Sequence, residues 1–254
     1  MTPLPDRLTL LPGDWQPLGP DAAALLLQRM DAYTATTLAG EAFSRRVRLR
    51  QAWWQPLEFY PGFTQISAEI LEQGHLAWFD ALCGPGLFWC MDGQPHVLHG
   101  LNDGTLRTGD ARQPTYPRAL IRLSPSRAAR AYLRLFVHAL RERDVTFRIV
   151  ESVRGLRALG VATAEAYTRQ LQPLRLSWRD REHTALRATA AMVYAGSLFK
   201  CRFELSPDGR VDMLQDEPLS PGRIVDPERC DLWLRDIHPL QTTALLDAPA
   251  GVTP

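Results

Sequence analysis

Residues 197–214 read SLFKCRFELSPDGRVDML, and the rest of the chain can be arranged around them. From Ser197 to Leu205, Phe199, Cys201, Phe203 and Leu205 fall on one side, and Leu198, Lys200, Arg202 and Glu204 on the other. A period of two with one apolar side is the mark of a strand that covers a core with one face. Pro207-Asp208-Gly209 then supplies a turn, and Arg210 to Leu214 returns. The segment predicts an antiparallel hairpin.

Upstream lies the best helical pattern. Ser124-Pro125-Ser126 places capping serines and a first-turn proline before it. Ala129, Tyr132, Leu133, Phe136, Val137 and Leu140 then recur at i, i+3 and i+4 to about Arg143. Ala119–Leu123 before this helix and Val145–Val150 after it read as strands, which makes a central β-α-β unit. No glycine-rich phosphate loop joins strand to helix.

Outward from there the elements are shorter. Residues 1–20 hold Pro3, Pro5, Pro12 and Pro20 and read as an extended segment. Asp21 caps a helix over Ala22–Ala32, and a second helix is expected over Thr36–Leu49, with Arg45, Arg46, Arg48 and Arg50 near its C-terminal end. Thr64–Leu71 and Leu87–Met91 read as strands. Leu76–Leu82 fits either a helix or a strand. Asp92-Gly93 predicts a turn leading to a strand at Pro95–Leu98. Residues 100–117 read as a long loop, the one place for a subdomain break. Helices are expected over Ala162–Leu171 and Asp180–Met192. The fold class is therefore α+β: a mainly antiparallel sheet partly covered by helices, with one β-α-β unit, in a single domain spanning 1–254.

Composition narrows the functional classes. The charge balance is 29 basic against 28 acidic residues, a net +1, so no overall field draws the chain to nucleic acid. Lys200 is the only lysine, and the basic side chains are otherwise arginines. No apolar run approaches the ~18 residues that span a bilayer. The stretch MTPLPDRLTLLPGDW has proline and acid where a secretory signal needs basic charge and then an apolar run. The expected location is the cytoplasm, with Cys83, Cys90, Cys201 and Cys230 reduced. Export by a route without a signal would look the same.

Four constellations could carry chemistry. Cys83, Cys90, His96 and His99 are metal-competent, but their C-x6-C-x5-H-x2-H spacing fits no compact zinc knuckle. Glu204, Asp208, Asp212, Asp216 and Glu217 gather carboxylates about the hairpin, where turn formation and solvation explain them, and Lys200 shares a face with Glu204. No nucleophile elbow or metalloprotease motif is present, so the nucleophilic candidate is Cys83, before Gly84-Pro85-Gly86, paired in space with one of His75, His96, His99, His138, His183 and His238. Arg127, Arg130, Arg134, Arg141 and Arg143 make one helix basic, and Trp53, Trp54, Tyr60 and Phe63 form an aromatic patch broken by Pro56 and Pro61-Gly62.

YLRLFVHAL (132–140), FRIVE (147–151), YAGSLFKCRFEL (194–205) and DGRVDMLQDEPL (208–219) together resemble a family of bacterial proteins of unknown function. The resemblance covers under half the chain and implies the same order of helix, strand and closing hairpin. It implies no activity and no site. On the residues alone, the expectation is a non-catalytic module without metal or cofactor. It would recognise a protein partner or a small ligand through Trp53, Trp54, Tyr60, Phe63, Arg127, Arg130 and Arg134. A hydrolase or transferase with an unrecognised site is the alternative, and nucleic-acid binding a weaker one.

Overall fold

A computed structural model describes residues 11–37, 43–72, 75–84, 87–90, 96–107, 118, 121, 123–124, 127–142 and 145–225. The fold is α+β and is built on two antiparallel sheets. The first is a meander of β1 (Gln16–Pro17), β2 (Val47–Pro56), β3 (Thr64–Glu72), β4 (His75–Gly84) and β5 (Leu87–Cys90), paired in that order. Helix α1 (Pro20–Thr37) lays Leu26 and Met30 on one face of it, against Ala52, Ile66, Ala68, Ile70, Phe79 and Ala81. The one-turn helix α2 (Phe43–Arg46) leads into β2.

Helices α3 (His96–Asp103) and α4 (Arg127–Ala139) follow, then the two-residue strands β6 (Arg141–Glu142), β7 (Val145–Thr146) and β8 (Arg148–Ile149) and the short helix α5 (Val153–Ala158). β6 pairs only with β7. The second sheet contains β9 (Arg175–Trp178), β10 (Leu186–Tyr194), β11 (Ser197–Leu205) and β12 (Val211–Pro218). Its order is β12-β11-β10-β8, with β9 also on β10. The largest apolar cluster draws on both sheets and on both long central helices. It includes Leu82, Leu87 and Trp89 from the first sheet, Leu186, Ala188 and Phe203 from the second, and Leu101, Tyr132, Leu133 and Phe136 from α3 and α4.

The opening hairpin and the α4 stripe follow the periodicity, except that Leu198 on the polar side is buried in a second cluster and α4 ends at Ala139, before the expected Arg143, with β6 beginning at Arg141. In β11, Cys201, Phe203 and Leu205 are buried, while Lys200 and Arg202 are exposed. In α4, Ala129, Tyr132, Leu133, Phe136 and Val137 are buried. Leu76–Leu82, open between helix and strand, lies in β4. The strand expected at Ala119–Leu123 falls mostly outside the described residues, and so does the Asp92-Gly93 turn.

Four expectations are corrected. The expected helix over Thr36–Leu49 gives way to β2 at Val47, because Val47 is buried and Arg48 exposed, which is a strand period. The strand expected at Pro95–Leu98 is replaced by α3, which buries Val97, Leu98 and Leu101 on one side. The helix over Ala162–Leu171 shrinks to a single 3-10 turn at Ala164–Tyr167. The helix over Asp180–Met192 is in truth mostly β10, paired along its whole length with β11 from Leu186↔Leu205 to Tyr194↔Ser197. Its alanines favour a helix in isolation, but β10 is a central strand, with apolar cover on both faces over Ala190–Val193, and pairing overrides propensity there. Leu186, Ala188, Ala190 and Met192 face the main core, while Ala191 and Val193 face a smaller cluster under α5.

Two hairpins need left-handed backbone. Ala195 (φ 48°) and Gly196 (φ 78°) form the two-residue link between β10 and β11, the geometry that matches strand twist. Gly209 (φ 86°) closes β11 to β12, and a Cβ there would stand 2.3 Å from Asn102 Nδ2. A Gly209→Ala substitution is therefore expected to lower stability by about 2–3 kcal/mol. Urea denaturation checks this, and an unchanged midpoint would show that the turn does not bear on Asn102.

Candidate anion-binding groove

The aromatic residues singled out in the sequence are mostly core residues. Trp53, Tyr60 and Phe63 are 1%, 0% and 8% exposed, and Trp54 is half-buried against the α1 cluster. Tyr60 lies edge-on to Phe59, with ring centroids 5.0 Å apart, and Phe59 lies edge-on to Tyr132 at 5.4 Å. Phe63 and Tyr60 meet at 5.5 Å, and Arg127 reaches Glu58 in the same turn at 3.3 Å. Arg134 donates through Nε and Nη2 to Glu151 Oε2 at 2.8 and 2.6 Å, while Glu151 Oε1 accepts from Leu174 N. Arg130 is half-buried on α4. The structure thus gathers Tyr60, Phe63 and Arg127 about one turn. Trp53 and Trp54 lie on opposite faces of β2.

Trp53 belongs to a buried polar face of the first sheet. Register places Gln55 opposite Gln65, Trp53 opposite Ser67, and Gln51 opposite Glu69. Gln65 and Ser67 are 0% exposed and Glu69 is 5% exposed. Gln55 Nε2 donates to Gln65 Oε1 at 3.2 Å, and Arg50 neutralises Glu69 at 2.9 Å. Gln65 Nε2 and Gln51 Oε1 have no hydrogen-bond partner among the described residues. A Cβ on Gly13 would stand 1.8 Å from Gln55 Oε1, so the chain near Gly13 runs directly over this face.

The site with accessible chemistry is on the second sheet. A groove of about 700 Å³ opens on the face turned away from the main core. Its walls are Arg175 and Ser177 of β9, Arg187 and Thr189 of β10, Arg202 of β11, and Leu214 and Gln215 of β12. The residues between them, Leu176, Ala188 and Phe203, pack into the main core, as strand alternation requires. Arg175 and Arg202 lie either side of Thr189 in one cross-strand row, and Gln215 extends that row on β12. Arg187 lies two residues along β10, between Ser177 and Glu204.

All three arginines are exposed, and none makes an ion pair among the described residues. Arg187 has a carboxylate directly opposite, but Glu204 is already held by Arg179 at 2.9 Å. Arg179 is in turn fixed by Asp180 at 3.0 Å and by the Thr184 hydroxyl at 2.7 Å. The Thr184 hydrogen bonds, with Arg179 beside them, hold the Asp180 carboxyl down at about 2. No acidic side chain lines the groove.

Much of the acidic cluster about the hairpin is paired within the chain. A smaller pocket of about 320 Å³ is lined by His99, Asn102, Asp103, Asp208, Arg210 and Asp212. Asp103 accepts from Thr105 N and Oγ1 at 2.8 and 2.6 Å, and Arg210 pairs with Asp212 at 3.1 Å. Asp216 accepts from the Tyr194 hydroxyl. Burial lowers the His99 imidazole, with Asp103 and Asp212 opposing the shift. Burial pushes the Cys83 and Cys201 thiols up to about 12. Among the described residues, no three of His, Cys, Asp and Glu lie where they could hold a metal ion. No helix among them is long and apolar enough to cross a membrane.

The chain matches no protein-family model, no curated protein and no solved structure. The resemblance read in the C-terminal half therefore carries no family assignment.

The arginine groove was not visible in the sequence because its members are scattered over residues 175–215 and one of them, Arg187, lay in an expected helix. The signal available was the alternation LRAT at 186–189, read with the polar side of SLFKCRFEL.

The buried thiols give a pH dependence of stability. Folded Cys83 and Cys201 keep their protons to about 12, whereas the unfolded thiols lose them near the ordinary thiol value of 9.0. The unfolded state therefore binds fewer protons above pH ~9, and stability falls as pH rises through that window. Urea midpoints measured between pH 8 and 11 are expected to drop, and less steeply in a Cys83→Ala variant. A flat profile would contradict the burial of these groups.

Proposed function

We propose that the protein is a non-catalytic binding module for a small anionic ligand, held in the arginine groove of the second sheet. The observation that carries this is the convergence of Arg175, Arg187 and Arg202 from three adjacent strands around one groove with no acid in its lining. Elsewhere, Arg50, Arg127, Arg134, Arg157, Arg179 and Arg210 each sit on a carboxylate. Arginines that only solubilise a surface can be scattered. Three that face one concavity without a counter-charge raise the local concentration of anions there.

The surrounding groups suit recognition rather than turnover. Ser177, Thr189 and Gln215 offer neutral hydrogen bonds beside the three cations. The groove lining contains no histidine, cysteine or carboxylate to act as base or nucleophile. The nearest acid by register, Glu204, is committed to Arg179. The groove also rests on a rigid floor, since β10 is paired on both sides, and a preformed floor reduces the ordering cost of binding.

A ligand that binds only the folded state raises the melting temperature. At low salt, a panel of small anions is expected to include at least one that stabilises the wild-type chain by several degrees. The triple variant Arg175→Ala, Arg187→Ala, Arg202→Ala should lose that response while melting normally without ligand, because all three side chains are exposed. Equal anion responses in the two proteins would remove the groove from consideration.

A further inference from the structure

Resting on the anion-binding reading above, we infer that the ligand presents a phosphoryl group, as a phosphate monoester, rather than a carboxylate. Arg175 and Arg202 are separated by two strand spacings across Thr189, which is ~10 Å between backbones. Arg187 is one strand and two residues from each, roughly 8 Å away. The three guanidiniums therefore approach from the corners of a triangle and not from a line, and each carries a planar fork of donors.

A carboxylate is flat, has two oxygens, and is saturated by two such forks at most. It also carries a single charge, which would leave two guanidiniums uncompensated. A phosphate monoester carries about −1.5 to −2 at neutral pH and displays three terminal oxygens in a tetrahedral array. Three forks arriving from three sides can each take one oxygen. The Ser177 and Thr189 hydroxyls and the Gln215 amide remain for the ester oxygen and for hydroxyls on the organic part. That part has an apolar neighbour at the rim, because Leu214 is 57% exposed where β12 bulges between its pairings to Arg202 and Phe203.

A nucleic-acid backbone also presents phosphates but is a poorer fit. Each backbone phosphodiester carries one charge, and the groove lining contains no aromatic side chain other than Phe203, which is 3% exposed and packs into the core. Strands bound without sequence preference are held largely by stacking on exposed rings.

Isothermal titration calorimetry of the full chain with phenyl phosphate as probe tests the inference. Citrate, vesicles containing phosphatidic acid, and a single-stranded RNA serve as the other arms. The expected result is saturable phenyl phosphate binding that falls about tenfold or more in each of Arg175→Ala, Arg187→Ala and Arg202→Ala. Arg187→Lys should recover only part of it, because lysine lacks the fork. Binding of phosphatidic acid vesicles with the same arginine dependence would support the same chemistry and assign its source to a lipid. Arginine-dependent binding of citrate but not of phenyl phosphate overturns the phosphoryl inference and leaves the anion-binding module standing. Failure of every anion to bind overturns both. RNA binding stronger than that of phenyl phosphate, with a steep loss on adding salt, overturns the small ligand in favour of a polyanion.

Discussion

One chain of hydrogen bonds ties the two sheets together. Tyr60, in the turn after β2, donates its hydroxyl to Asn102 Oδ1 on α3. Asn102 Nδ2 donates to the Tyr132 hydroxyl on α4 at 2.8 Å, and Tyr132 donates to the carbonyl of Gly209 in the β11–β12 turn at 2.5 Å. Four elements far apart in sequence are joined by three directed bonds in a region where Tyr60 and Tyr132 are 0% exposed. Burial raises both phenols well above their ordinary range, which keeps each a donor at every physiological pH. Losing any member would leave a buried partner unsatisfied, at a cost of about 1–3 kcal/mol. The chain also explains why residue 209 must be glycine: Asn102 occupies the space a side chain would need.

The same network positions the groove at a distance. It fixes the β11–β12 turn from the core side, which sets the path of β12 and hence where Leu214 and Gln215 stand beside Arg202. At the opposite edge of β10, His138 at the end of α4 accepts from Ile149 N through Nε2 at 2.9 Å, while Arg148 donates to the His138 carbonyl at 2.7 Å. α4 therefore holds the second sheet at two places, the hairpin turn and β8. The face opposite α4 is left to carry polar side chains where β9, β10 and β11 run side by side.

What the sequence made legible follows from how local each signal is. The β11–β12 hairpin and the α4 stripe are encoded within about 20 residues by period and turn chemistry alone, and both were readable. β10 was not, because its alternation lasts only over Leu186–Thr189, and Ala190–Val193 is buried on both faces. Its hairpin link was hidden as well: Ala195-Gly196 takes the left-handed pair of conformations usually advertised by asparagine or aspartate before glycine. The aromatic patch was recognisable as a cluster, yet composition cannot tell a ring that lines a surface from one that fills a core. Trp53, Tyr60 and Phe63 do the second.

The arginines show why a site of this kind escapes a linear reading. In a chain with one lysine, arginine marks nothing by frequency, so only its partners distinguish one from another. Arg134, bound through two nitrogens to Glu151, and Arg179, held between Asp180 and Glu204, act as structural fasteners. Arg187 differs from them through a single competition: Glu204 lies directly opposite it but is bound by Arg179, which Asp180 and Thr184 hold in place. The Arg179–Thr184 turn thus withholds the one carboxylate that would have neutralised the groove. A cation in the groove stays without a counter-charge because a neighbouring turn outcompetes it for the carboxylate opposite. That relation exists only once β9, β10 and β11 are side by side.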